Sequence, residues 1–151
     1  MATRLALLIA AATVIAAGAG TYLLLTAPSA STGGATTIQG VACASYSTSY
    51  TVLATNSGYN DSIHHGVPRN HWPILCAHQG DVIEITVLNR DSVEPHGVAI
   101  EHYDEAGVTV PPGHSITIRV VANERGYFQI FCNVICAVHP YMLSGLLVVT
   151  S

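Results

Sequence analysis

Between Gly126 and Gly145 the chain reads Gly-Tyr-Phe-Gln-Ile-Phe-Cys132-Asn-Val-Ile-Cys136-Ala-Val-His139-Pro-Tyr-Met142-Leu-Ser-Gly. Two cysteines, a histidine and a methionine thus fall within eleven residues. Thiolate, imidazole and thioether form a soft donor set, and soft donors select copper over the hard, oxygen-preferring cations. An apolar alternation precedes the cluster and a second apolar run, Leu146 to Val149, follows it. A strand that delivers donors into a short loop, which then returns as a strand, holds them in a fixed cage. The chemistry this predicts is one-electron transfer at copper.

A mononuclear copper site tolerable to both oxidation states takes two histidines, one cysteine and a weak axial methionine. The loop supplies only His139. The second imidazole is expected from a neighbouring loop at the same end of the fold, and His96, in Glu94-Pro95-His96-Gly97 between two strand signals, is the best placed.

The elements that must carry these donors read as short strands. Tyr46 to Leu53 is rich in β-formers and is expected to be the first strand. Asp81 to Leu88 alternates, with Ile83, Ile85 and Val87 on one face, and Ile116, Ile118 and Val120 alternate with Thr117 and Arg119. Phe128, Ile130 and Cys132 share a strand face, and Val98 to Ile100 is a further short strand. Asn56 to His71 carries Gly58, Asn60, Gly66, Pro68 and Asn70 without periodicity and reads as a long loop. Asn89 to Gly97 is a polar loop, and Pro111-Pro112-Gly113 a turn. After residue 27 no stretch holds a helical period, so the expected architecture is an all-β sandwich or barrel.

Composition bounds the rest. The 151 residues suffice for one domain with an appendage. Half are hydrophobic and only 9% are charged, with no lysine and a net charge of −4. No basic patch exists, which excludes nucleic acid as a partner. Leu5 to Thr26 is uncharged, and its twenty-two residues would span ~33 Å as a helix, enough to cross a bilayer. A cleaved secretory signal is the competing reading. The run is long for one, and the leucines of Tyr22 to Leu25 lie beyond the best small-residue cleavage site, Ala17-Gly18-Ala19. The expected organisation is a transmembrane anchor over residues 1–27, a Gly/Pro/Ser/Thr-rich linker over 28–40 and a β domain over 41–151. Arg4 on the short N-terminal side predicts a single-pass membrane protein with its N-terminus cytoplasmic and its C-terminal domain outside. The small residues of the span fit either packing against another membrane protein or a plain anchor.

Gln79 to Val149 resembles a cupredoxin, a Greek-key β-sandwich, and most of all the CuA domain of subunit II of cytochrome c oxidase. The shared features are His96-Gly97 before an apolar pair, Val110-Pro111-Pro112-Gly113, Gly126-Tyr127-Phe128 before the first cysteine, and Cys132…Cys136…His139…Met142 with Gly145 three residues on. One N-terminal span before a small β domain also resembles the shorter members of that family. The resemblance implies a binuclear copper centre, bridged by the Cys132 and Cys136 thiolates. His96 and His139 would each bind one copper, and Met142 and the Val134 carbonyl would be weak axial ligands. It further implies electron delivery from cytochrome c or a small copper protein to the haem of a membrane subunit I.

One departure matters. The family places three residues between the second cysteine and the histidine; here there are two, Ala137 and Val138. Cys136-Ala-Val-His139-Pro-Tyr-Met142 also resembles the ligand loop of amicyanin-like mononuclear proteins, Cys-x-x-His-Pro-aromatic-Met. Counted from Gly126, however, Cys132 holds the strand-end cysteine position. The expected arrangement is therefore CuA with a one-residue deletion, the alternative being one copper in a tethered mononuclear carrier. A Cys132–Cys136 disulfide, with His139 and Met142 as ordinary loop residues, is the bland alternative.

Cys43 and Cys76 remain, and outside the cytoplasm they are expected to pair with each other. His64, His65, His71 and His78 are irregularly spaced and no acidic residue joins them at ligand spacing, so they are expected on the surface with His102 and His114. Trp72 reads as a core or rim aromatic or as part of an electron-accepting patch. Asn60 to His71 looks like an insertion, a segment type that often contacts partners.

Overall fold

The computed structural model describes residues 41–151 and the backbone of a short strand at Thr37–Ile38. The expected anchor lies outside the described residues, as does the expected linker apart from that strand. Among the described residues no helix is long and apolar enough to cross a membrane.

Among the described residues there are eleven strands: β1 (Thr37–Ile38), β2 (Val41–Ala42), β3 (Ser49–Thr55), β4 (Gly58–Tyr59), β5 (Ile74–His78), β6 (Val82–Asn89), β7 (His96–Ile100), β8 (Asp104–Val110), β9 (Ser115–Val121), β10 (Gly126–Phe131) and β11 (Gly145–Thr150). Single 3₁₀ turns interrupt them at Ser62–His65 and His139–Met142. β1 and β2 pair with each other, and the remaining strands form two sheets. One has the order β5-β11-β10-β7-β8 and the other β4-β3-β6-β9.

The two sheets face each other over one core. β6 contributes Ile83, Ile85 and Val87, each fully buried, and β3 contributes Val52 and Ala54. Val98, Ile100, Ile130, Leu147 and Val149 come from the opposite sheet. A side-chain period of two makes this register hard to slip. Shifting β6 by one residue would expose its three apolar residues, at roughly 1.5–3 kcal/mol each, and bury Glu84. The alternation expected at Ile116, Ile118 and Val120 and at Phe128, Ile130 and Cys132 also faces this core.

β11 is buried along its whole length. Leu147 and Val149 face the main core, whereas Leu146 and Val148 pack on the outer face against Cys43, Cys76 and Tyr46. A strand covered on both faces is a continuous apolar run rather than an alternation, which is how Gly-Leu-Leu-Val-Val-Thr reads. Cys43 and Cys76 form the expected disulfide. It ties the segment after β2 to β5.

Several features differ from the expectations. β5 was not anticipated, and it pairs parallel with β11, Leu75 against Leu147. β3 likewise pairs parallel with β6, Val52 against Val87. The stretch expected to be the long loop is built: β4 pairs with β3, and the turn Ser62–His65 packs near the turn His139–Met142. His96 is the first residue of β7 rather than a loop residue, and is therefore held by a sheet.

Candidate metal centre

Every candidate donor lies at one end of the sandwich. β7 opens on His96, β10 runs directly into Cys132, and the connection from Cys132 to β11 carries the rest. The Cys132 N–H donates to the Met142 carbonyl at 2.8 Å, closing this connection into a loop whose two ends meet. Gly145 is required at the return. It pairs with Ile130, and a Cβ there would lie 2.8 Å from the Ile130 carbonyl oxygen.

Among the described residues, His96, Cys132 and Cys136 form the one group of three metal-binding side chains whose donor atoms all lie within 4.8 Å of one another. His96 is wholly buried and Cys132 nearly so, while Cys136 is half-buried. Both cysteines are free thiols, so the disulfide alternative does not hold here. Met142, also wholly buried, places its sulfur 3.8 Å from the Cys136 sulfur.

His139 stands outside this group of three. Its Nδ1 lies 2.9 Å from the Val134 carbonyl oxygen, which also accepts the Cys132 thiol at 3.1 Å. Val134 is thus the point where the two halves of the donor set meet. β7 and the loop bring His96, Cys132, Cys136 and Met142 together, and the loop holds His139 beside them through that carbonyl.

The surroundings favour a metal over the protons now present. His96 Nε2 is 3.2 Å from Asp91 Oδ2, whereas His96 Nδ1 is buried without any hydrogen-bond partner. A buried polar atom left unpaired is costly, and a metal would satisfy it. Desolvation, followed by the neighbouring Cys132, pushes the Cys136 thiol up to about 11. As a thiol Cys136 is a weak donor; as a thiolate on a soft cation it gains the charge that its burial withholds. The residues present therefore fit copper. The Gly97 N–H already points at the Cys132 sulfur, at 3.2 Å.

Residues that the sequence did not single out hold the donors in place. Asp91 Oδ1 accepts the N–H groups of Val93 and Glu94 at 2.8 and 3.1 Å. The Val93 bond chiefly holds the Asp91 carboxyl below its usual range; burial works against this, and the Glu94 N–H and His96 add to it. Glu94 reaches across to the N–H of Ala137, 3.0 Å from Oε2, and so grips the loop between Cys136 and His139. Fully buried Tyr59 donates to the Gly97 carbonyl. Burial, then Cys132 and Cys136, raises its phenol well above the ordinary tyrosine range.

The segment expected to be an insertion is also engaged. Ser62 is fully buried and donates to the Tyr141 carbonyl at 2.5 Å. The Trp72 N–H donates to Ser144 at 2.9 Å, and its indole N–H to Asn60 at 2.8 Å. Trp72 is half-buried and stacks on His65. His64, His65, His71, His78, His102 and His114 are all exposed, as expected.

No protein-family model matches this chain, and no curated protein matches its sequence. Solved structures do. Reduced auracyanin from the photosynthetic bacterium Roseiflexus castenholzii superposes with a TM-score of 0.54 at 17% identity, covering 71% of this chain and 100% of that one. A multicopper oxidase gives 0.51 at 21% identity, over 67% of this chain. The copper nitrite reductase of Nitrosomonas europaea gives 0.53 at 17%, over 68%. This chain spans 41% of the length of each of those two. At such identities the likeness establishes the fold. The domain is a cupredoxin-type β-sandwich.

Proposed function

We propose that this chain is a copper electron-transfer protein, and specifically the electron-accepting subunit II of a haem-copper oxidase with a binuclear CuA centre. The observation that carries the reading is a pair of unbridged cysteines, Cys132 and Cys136, converging with His96 at the loop end of a cupredoxin fold. A site for a single copper of the blue type needs one thiolate. Two thiolates within reach of one imidazole suit a bridged pair.

The remaining donors divide to match. His96 and Met142 adjoin the cysteine pair from within the core, and His139 is held beside it by the Val134 carbonyl. Copper held there would supply a carrier of single electrons. The chain's own part is to keep the donors still: the Cys132–Met142 backbone bond, the Ser62–Tyr141 bond and the Glu94–Ala137 bond pin the loop at three points.

In this reading the chain is anchored by residues 1–27, with the β domain outside the cytoplasm. It takes electrons from cytochrome c or a small copper protein and hands them to haem in a membrane-embedded subunit I. The oxidoreductase activity belongs to the complex, with this chain as its electron-accepting part.

A mononuclear membrane-anchored carrier is the second reading. His139 standing outside the three-donor group is the observation that favours it. The two separate by the copper-to-protein ratio and electron paramagnetic resonance spectrum of the full chain loaded with copper. Hyperfine splitting shared by two equivalent nuclei, at two coppers per chain, supports CuA. Splitting from one nucleus at one copper per chain overturns CuA and leaves the mononuclear carrier, and no copper uptake overturns both.

A further inference from the structure

We propose that Asp91 is a positioning residue that fixes the tautomer of His96 and so decides which ring nitrogen is offered to the metal. The inference deepens the copper reading above, but its first test needs no metal.

The two nitrogens of His96 have unlike surroundings. Nε2 faces Asp91 Oδ2 at 3.2 Å, and Nδ1 is buried with no partner. A neutral imidazole carries one N–H and one lone pair, and an ionised carboxylate only accepts. Nε2 therefore carries the hydrogen, and the lone pair sits on Nδ1. The opposite tautomer would set a lone pair against the carboxylate and bury an N–H with nothing to receive it.

Asp91 can impose this because it cannot turn away. Its other oxygen is committed to the N–H groups of Val93 and Glu94. Its own N–H donates to Asn89 Oδ1 at 2.9 Å. Asn89 is fully buried and in turn donates to the carbonyls of Glu94 and Val110, both at 2.9 Å. The β6–β7 connection is wound around these two side chains, and one carboxylate oxygen is left facing the ring.

This arrangement makes the near-isosteric change the damaging one. In Asp91→Asn the amide oxygen must stay with the two backbone N–H groups, since the reverse would set donors against donors. The NH₂ then faces Nε2, which has to accept, and the hydrogen moves to Nδ1. The lone pair now sits on Nε2, taken up by the amide at position 91. Asp91→Ala removes the turn-forming bonds as well, yet imposes no tautomer.

The experiment is nitrogen-15 NMR of the histidine rings in the metal-free full chain, followed by copper(I) affinity measured by chelator competition. His96 is expected as the Nε2–H tautomer in the native chain and as Nδ1–H in Asp91→Asn. Copper(I) affinity is expected to fall about 10–100-fold in Asp91→Asn, and to fall less in Asp91→Ala despite its greater disturbance of the connection. A merely structural role predicts the reverse order. An unchanged tautomer in Asp91→Asn, or copper binding by Asp91→Asn at least as tight as by Asp91→Ala, overturns the proposal. If the native chain takes up no copper, the functional reading falls and the tautomer measurement alone decides this one.

Discussion

Ser62→Ala tests whether the irregular segment between β4 and β5 braces the ligand loop. The hydroxyl is fully buried and donates at 2.5 Å to the carbonyl of Tyr141, inside the turn that carries His139 and Met142. It fills the space left open by Gly58, where a Cβ would come within 2.0 Å of the oxygen. Removing it deletes one hydrogen bond and leaves a carbonyl short of a donor, about 1–2 kcal/mol in all. Unfolding entropy near the melting point is about 2.1 cal/mol/K per residue, or about 0.23 kcal/mol/K over residues 41–151. The expected fall in melting temperature of the metal-free full chain, followed by circular dichroism, is therefore about 4–9 °C. If the turn frays alone, the melting shift shrinks and the same free energy appears as roughly 5–30-fold weaker copper binding. A variant that matches the native chain in both melting temperature and copper affinity would refute the idea that this segment holds the site.

Two further outcomes follow from geometry already described. Gly145→Ala sets a Cβ 2.8 Å from the Ile130 carbonyl and 3.0 Å from the Ile130 Cβ, so β10 and β11 must part; a loss of about 1–3 kcal/mol is expected in denaturant melts, and an unchanged midpoint would contradict the close approach. Burial raises the phenol of Tyr50, which donates to the Cys76 carbonyl, and raises Tyr59 well above the ordinary range. A raised folded-state value means the folded protein holds protons that the unfolded chain releases. This stability is full below about pH 10, where free tyrosine titrates, and is lost as pH climbs through the folded values. Alkaline unfolding is thus expected to coincide with the appearance of Tyr59 phenolate absorbance. Ionisation of Tyr59 in the native fold, tracked against a Tyr59→Phe control, would be the contrary result.

Much of the sheet was legible because its strands alternate. Ile83, Ile85 and Val87 could face only one way, and the outcome matched. β5 was not legible: Ile-Leu-Cys-Ala-His is a short run buried along most of its length, which carries no period. Its parallel partner lies some seventy residues downstream, a pairing that local pattern does not encode. The donors were visible as residue types, and the structure brings His96, Cys132, Cys136 and Met142 together. Their supports were not visible. Ser62 and Tyr59 act from a stretch of glycines and polar residues with no face to read, and Asp91 from a loop whose acidic residues look solvated. An Asp two and three residues ahead of the N–H groups it accepts was a usable signal for the turn, though not for the histidine behind it.

The two-faced burial of β11 bears on how the finished protein keeps its four cysteines apart. As the chain is synthesised, all four appear before β11 does, and four thiols admit three fully paired disulfide patterns. Until that strand docks, nothing in their order along the chain separates a structural pair from a ligand pair. Once it docks, Leu146 and Val148 give Cys43 and Cys76 a common wall on the outer face, while Cys132 and Cys136 belong to the core on the other side. One strand thereby keeps the two pairs apart: thiols on its outer face are consumed as a crosslink, and those beyond its inner face stay reduced, as the copper reading proposed above requires.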